Sequence, residues 1–305
     1  MLREVQEAME LVDSAHVTGE QVGGWLEDAG AVADITAVAG DRGRTEFVRV
    51  HLAGASPGGP TLGIIGRLGG VGAFPSRLGL VSDADGAIVA LACAARLARM
   101  ARRGDRLPGD VIVATHVCPR SPIEPHEPTP FMGSPVDMAT MDEYEVDPRM
   151  EAILSVDTTK GNWVVNVPGF AITPTVKEGY ILRVAEDLLE IARVVGGRPP
   201  VVLPITTQDI TPYGNGLYHI NSIMQPATAI SAPVVGVATT AAVPVPGCAT
   251  GANQVVDLER AARFCLEVAK AFTGGECTFY DPHEFQRLVE LYGSMRHLQT
   301  PGRSQ

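Results

Sequence analysis

An α/β fold of three layers, with a mostly parallel or mixed central sheet and helices on both faces, follows from three observations. Short apolar runs at Thr61–Ile65, Asp110–His116, Ala152–Val156 and Val234–Ala238 alternate with longer amphipathic patterns, the order expected of strands joined by helices. The centres of these runs are unbroken, as in strands covered on both faces. The 305 residues are 45% hydrophobic, enough to bury a large core. No repeat or long linker divides the chain, so one domain over residues 1–298 and a frayed tail at 299–305 are expected.

Residues 3–13 read as a helix, and Thr18-Gly-Glu-Gln21 has the capping-box pattern ahead of a short helix through Trp25 and Leu26. Asp34–Val38 and Glu46–Leu52 alternate as strands about the Gly40-Asp-Arg-Gly43 turn, with His51 on a sheet face. The run Gly66-Arg-Leu-Gly-Gly-Val-Gly72 has neither a GK[ST] ending nor dinucleotide spacing, so its glycines serve a tight turn or close backbone approach. In Leu80–Arg103, Asp83 and Asp85 precede a helix with Ile88, Leu91, Ala92, Ala95 and Ala98 on one face. Arg96, Arg99, Arg102 and Arg103 lie toward its end, so the charges suit the helix dipole and the aspartates read as caps. Cys118–Pro148 has no period and reads as an irregular segment of functional or mobile character.

After Asp157-Thr-Thr-Lys160, residues 164–173 read as a hairpin or edge strands. Lys177–Val195 reads as a long helix with Leu182, Leu188, Leu189 and Ala192 inward, and Val201–Leu203 as a strand. Leu258–Phe272 reads as a helix entered at Asp257, and Asp281-Pro-His-Glu284 opens the last helix.

The formal net charge of −11 opposes binding to nucleic acid or an anionic membrane, since an acidic surface gains nothing from a polyanion. No apolar run reaches membrane-helix length, and the acidic N-terminus is unlike a secretory signal, which predicts a cytoplasmic chain. Five cysteines form no CxxC pair, so reduced thiols are expected.

Ligands in open α/β sheets gather beyond the carboxyl ends of the strands. That rule selects Arg67, His116 with Cys118, Asp157 with Thr158, Thr159 and Lys160, Thr206 with Thr207, Gln208 and Asp209, and Thr239 with Thr240, together with Asp83 and Asp85 at the helix start. His219, among turn residues, is a further candidate pocket residue, and His126 belongs to the irregular segment. Asp83, Asp157 and His116 offer the oxygen and nitrogen donors that hold a divalent metal. His116 and Cys118 also form a base-and-nucleophile pairing, which ranks lower because neighbours on one strand face rarely meet productively.

Asp83-Ala-Asp-Gly86 followed by Leu91 and Ala92, Val113-Ala-Thr-His-Val-Cys-Pro119, Ile153-Leu-Ser-Val-Asp157, and Val234–Ala238 with Val255-Val-Asp-Leu258 stand in a familiar order. From about Thr18 to Phe272 the chain resembles the zinc aminopeptidase and deacylase superfamily, in particular its glutamyl-aminopeptidase-like branch. The resemblance implies a metal-bridging place for Asp83 and a single-metal place for Asp157. It also implies a histidine ligand where Arg67 stands, a glutamate pair where Cys118 and Pro119 stand, and a last histidine near Cys248–Thr250, where none occurs. The superfamily's lid insert has no counterpart in this chain.

Two readings follow. One is a hydrolase of a peptide or amide bond in a small metabolite, with one divalent metal (Zn, Mn or Co) on Asp83, Asp157 and His116. In it His116 is a ligand or the general base, and Arg67 binds a substrate carboxylate or steadies an oxyanion. The other is a catalytically inactive binding or regulatory protein without a metal, a pseudoenzyme in which Arg67 and Lys160 neutralise the aspartates. In either, the ligand is a small molecule or short peptide with Arg67, Lys160, Thr206, Gln208, Asp209 and His219 as its contacts. Homo-oligomer formation stays open.

Overall fold

The computed structural model describes residues 1–67, 69–75, 79–125, 131–162, 164–205, 222–245 and 249–299. Thr206, Thr207, Gln208, Asp209, His219, His126, Cys248 and the tail beyond residue 299 lie outside the described residues.

Two helices, α1 (Leu2–Val12) and α2 (Gly19–Ala29), lead into the antiparallel pair β1 (Ala33–Gly40) and β2 (Gly43–Leu52). The capping box at Thr18 forms in both directions with Gln21. Strand β3 (Leu62–Gly66) is followed by the short β4 (Ala73–Phe74), a 3-10 turn at Ser82–Ala84, the long helix α3 (Asp85–Arg102) and β5 (Val111–Val117). Next come β6 (Ser121–Glu124), β7 (Phe131–Met132), α4 (Met138–Glu145) and β8 (Ala152–Thr158). The chain continues through β9 (Gly169–Ile172), β10 (Val176–Lys177), β11 (Tyr180–Ile181) and α5 (Glu186–Gly196). A 3-10 segment at Ser222–Thr228, β12 (Val234–Thr240), α6 (Val255–Thr273) and α7 (Pro282–Tyr292) complete it.

Among the described residues nine strands form one mixed sheet, ordered β1-β2-β5-β3-β8-β12-β10-β11, with β9 also on β12. Its centre, β5-β3-β8-β12, is parallel, and the flanks are antiparallel. The α/β architecture predicted from the sequence is therefore present, but its layers are uneven. Because strand side chains alternate, Ile64, Val113, Leu154 and Val235 face a core built with α1, α2, α3, α5 and α6. Ile65, Ile112, Ile153 and Val234 face a smaller cluster with Ile223, Met224 and Ala227 of the 3-10 segment.

Four local expectations are corrected. Helix α3 is buried over fourteen of its eighteen residues rather than along one stripe. Its many alanines let α1 and α6 close on the faces turned away from the sheet. Asp83 and Asp85 do not cap it: the N-cap is Ala84, without a side-chain bond, and Asp85 lies inside the helix. The expected helix from Lys177 starts only at Glu186. Glu178 and Gly179 both adopt positive φ, 49° and 83°, and close the β10–β11 hairpin as a two-residue turn. At Val201–Leu203 only a bridge from Val202 to Ile172 forms.

The irregular segment 118–148 contains β6, β7 and the whole of α4. Asp137 starts α4 by accepting the Thr140 N–H at 2.9 Å. Phe47 of β2 stacks on Tyr144 at 4.7 Å between ring centroids, which holds α4 against β2. The basic end of α3 is tied down as well, with Arg99 pairing Glu4 at 3.0 Å and Arg102 donating to the Asp28 carbonyl at 2.6 Å. No helix among the described residues is long and apolar enough to cross a membrane.

The start of α3 lies directly on the ends of β3 and β8 because glycines meet there. A Cβ on Gly86 would come within 2.4 Å of the Arg67 carbonyl and 2.5 Å of the Val156 carbonyl. Gly86→Ala should therefore destabilise the fold by about 1–3 kcal/mol through overpacking. Gly24→Ala, in open space on α2, should stabilise it by roughly 0.5–1 kcal/mol. Urea midpoints of the two variants against wild type check both signs.

Candidate functional site

The carboxyl ends of the parallel strands place Arg67, His116 and Asp157 in a row. Gly66 pairs with Thr115 on one side and Val156 on the other. The Arg67 N–H continues the ladder to the Val156 carbonyl at 2.8 Å. One residue further along each strand, Arg67 stands between His116 and Asp157 on the face turned toward α4. All three are buried, at 1%, 2% and 0% exposure, which makes their ionic partners decisive.

Arg67 is surrounded. Its Nη1 donates to Glu145 Oε2 and lies 3.6 Å from Asp142 Oδ1. Its Nη2 donates to Gln225 Oε1 at 2.6 Å and contacts Met138 Sδ at 3.1 Å. Burial opposes the guanidinium charge, but Glu145, Asp142 and Asp157 outweigh it and hold Arg67 above its ordinary value. Burial likewise acts to raise Glu145, yet Arg67 and the His116 hydrogen bond keep its carboxyl below the usual range. Asp142 differs: burial dominates, Arg67 offsets it in part, Glu145 adds repulsion, and its pKa rises to about 7.

His116 completes the chain of contacts. Its Nδ1 lies 2.7 Å from Glu145 Oε1, and its Nε2 is 3.1 Å from the Gly69 N–H. The backbone N–H donates to Nε2, so the ring proton belongs to Nδ1 and is donated to Glu145. Both nitrogens are engaged.

A second ionic cluster lies on the opposite face of the sheet, under the start of α3. Asp85, 1% exposed, pairs with the Lys160 ammonium at 2.7 Å. It also accepts from Thr239 Oγ1 and Asn253 Nδ2, each at 2.7 Å. Lys160 Nζ donates further to the Ala252 carbonyl at 2.8 Å. Lys160 thus partners Asp85 rather than Asp83, which lies buried in the Ser82–Ala84 turn. Asp157 accepts the Thr158 N–H at 2.7 Å.

This arrangement does not fit a divalent ion among the described residues. Asp83, Asp157 and His116 do not assemble into a metal-holding group, and no other three His, Cys, Asp or Glu side chains do. The physical reason is local: His116 has no nitrogen to offer, and a fixed guanidinium stands between it and Asp157. Cys118 is not placed as a nucleophile for His116. Its Sγ faces the Arg44 carbonyl at 3.4 Å, and burial pushes the thiol upward.

Asp142, Glu145 and Gln225 were absent from the sequence-derived site. A signal for two of them existed: Asp137 as N-cap before Met138-Ala-Thr-Met-Asp-Glu-Tyr-Glu145 marks a helix, and Asp142 and Glu145 are three apart on one side of it. Gln225 carried no such signal.

The family model described as "Protein of unknown function (DUF1177)" matches residues 36–302. The chain belongs to this family. No curated protein matches DUF1177 residues of this chain or the remainder of it. Among solved structures, the bottromycin maturation enzyme BotP in complex with Mn is similar at 15% identity and TM-score 0.55, over 89% of this chain and 70% of that one. Leucine aminopeptidase (LAP1) of Caenorhabditis elegans is 12% identical, with TM-score 0.53 over 91% of this chain and 65% of that one. The apo leucyl aminopeptidase of Trypanosoma cruzi is 12% identical, with TM-score 0.54 over 88% and 62%. The DUF1177 chain thus has an aminopeptidase-like fold and spans about two thirds of the length of these enzymes.

Asp142 makes stability depend on pH. Its folded pKa lies above the unfolded value of 3.8, so the folded state keeps a proton that the unfolded state loses. The resulting stabilisation is complete below the unfolded value and is lost as pH rises toward about 7. Asp142→Asn should remove this contribution, so its urea midpoint should gain on wild type as pH rises through that window. A constant difference between the two across the window would contradict the assignment.

Proposed function

We propose that this chain is a non-hydrolytic binding or regulatory protein on an aminopeptidase-like fold, taking a small molecule or short peptide at the carboxyl edge of its parallel strands. The supporting observation is Arg67, a buried covalent cation between His116 and Asp157 with Glu145 and Asp142 as its counter-ions. A guanidinium held there repels a second cation, and replacing a buried charge is costly unless its partners change too. Lys160 does the same for Asp85 on the other face. Neither His116 nor Cys118 is poised for proton or acyl transfer. The hydroxyls of Thr158 and Thr240, at the ends of β8 and β12, are buried without a hydrogen-bond partner among the described residues, an unmet polar capacity at this edge.

A second reading, a metal-dependent hydrolase of peptide or amide bonds with a rearranged site, draws support from the fold it shares with leucine aminopeptidases and with BotP, whose structure holds Mn.

Protein purified without an affinity tag or chelator should contain no stoichiometric Zn, Mn or Co, keep its melting temperature in EDTA, and leave a dipeptide and acyl-amide panel unchanged. Stoichiometric metal whose removal lowers the melting temperature, or turnover restored by metal, would establish the hydrolase instead. Arg67→Met should cost about 3–5 kcal/mol in urea denaturation because Glu145 is left buried without its cation. Arg67→Met together with Glu145→Gln should recover part of that loss.

A further inference from the structure

The two edges of the sheet are built in opposite ways. At one end β11 has only two residues, and Gly179 of its turn lies against the Met295 carbonyl. Arg296 Nε pairs with Glu178 at 2.6 Å, and the Tyr180 hydroxyl donates to the Gly293 carbonyl at 2.5 Å, so the chain after α7 covers that edge. Short strands, charge and coverage are the usual protections against strand addition.

At the other end β1 is neither short nor covered along its length, and it carries a single charge. It runs for eight residues as Ala-Asp-Ile-Thr-Ala-Val-Ala-Gly, without proline, lysine or arginine. Its pairing with β2 is one-to-one from Ala33↔Val50 to Gly40↔Gly43, with no bulge to twist it away. None of its residues is buried, and six of the eight are exposed. No described strand lies beyond it. Ile35 packs beneath Gly19 and Gly23 of α2 on one side, so the strand is braced as it presents its outer edge.

We infer that β1 is a homodimer interface, pairing antiparallel with β1 of a second copy across a two-fold axis to make one continuous sheet. Antiparallel pairing of a strand with itself is self-complementary, as a two-fold contact requires. The charge pattern suits this occupant. Asp34 is the only charged residue in β1 and lies near its start, so a pairing centred on Ala37 sends the two carboxylates to opposite ends. Asp34 then faces the second copy's Gly40, and Ile35 faces its Ala39 on the α2 side, an apolar cross-strand pair. A parallel in-register arrangement, or an antiparallel one centred on Asp34, brings the like charges together.

Sedimentation velocity of the full chain from low to high micromolar concentration tests this. Wild type should shift from monomer to dimer. Thr36→Lys and Ala37→Lys, which set a charge on each side of the exposed strand, should weaken the dimer by about tenfold or more. Unchanged far-UV circular dichroism and melting temperature in the dilute variants would show that the monomer fold is intact. Hydrogen exchange on wild type provides an independent measurement, with protection of β1 amides rising with protein concentration. A monomer throughout, a dimer that survives both substitutions, or β1 exchange independent of concentration would each overturn the interface. A β1 amide protection that appears only on adding an extended peptide would replace the second copy by a peptide partner and overturn it equally.

Discussion

A guanidinium buried at the end of a central β-strand must be matched by carboxylates and hydrogen-bond acceptors, because water is not available to solvate it. Arg67 imposes that requirement on this fold. It draws Glu145 and Asp142 from α4, Gln225 from the 3-10 segment and, through Glu145, His116 from β5. The thinner side of the sheet is thus organised by charge as much as by apolar packing. Phe47, Val136 and Met141 supply the accompanying apolar contact that seats α4. Placing two carboxylates beside one guanidinium also explains why Asp142 and Glu145 shift in opposite directions: Glu145 makes the direct hydrogen bonds, while Asp142 stands farther off and is dominated by burial.

The Asp85–Lys160 cluster repeats this solution on the other side of the sheet, where the close approach of Gly86 to the strand ends brings α3 down. Between them the two clusters neutralise the edge at which α/β sheets gather ligands. An aminopeptidase-like fold can therefore be kept while carboxylates at its strand ends are neutralised by the protein's own cations. The fold likeness and the site chemistry are separate properties.

The main buried strands and the central helices were legible from sequence because they rest on local repeating patterns. The buried runs at β3, β5, β8 and β12, the capping box at Thr18 and the Asp281 cap of α7 all occur close to where the residues suggest. Arg67, His116 and Asp157 were also legible as strand-end residues, by the same rule of sheet edges. The relation between them was not. Asp85 and Asp83 look alike in sequence, yet only burial beside Lys160, Thr239 and Asn253 gives Asp85 its ion pair. The hairpin at Lys177–Ile181 was hidden because its strands are two residues long and its turn requires a positive φ at a glutamate.

By itself, the sequence determined that apolar strands alternate with helices, that charged residues stand at the strand ends, and that a histidine, a glutamate pair and a last histidine are missing from the places the family resemblance assigns them. Those properties are carried by composition and short spacings. Only the tertiary structure decided which charges meet, since Arg67 and Glu145 are 78 residues apart and Asp85 and Asn253 are 168 apart. The energy of a buried charge depends on its partners and its distance from water, and neither is written in local sequence. That is why Arg67, first seen as a residue in a ligand's place, is understood as the cation that holds α4 to the sheet.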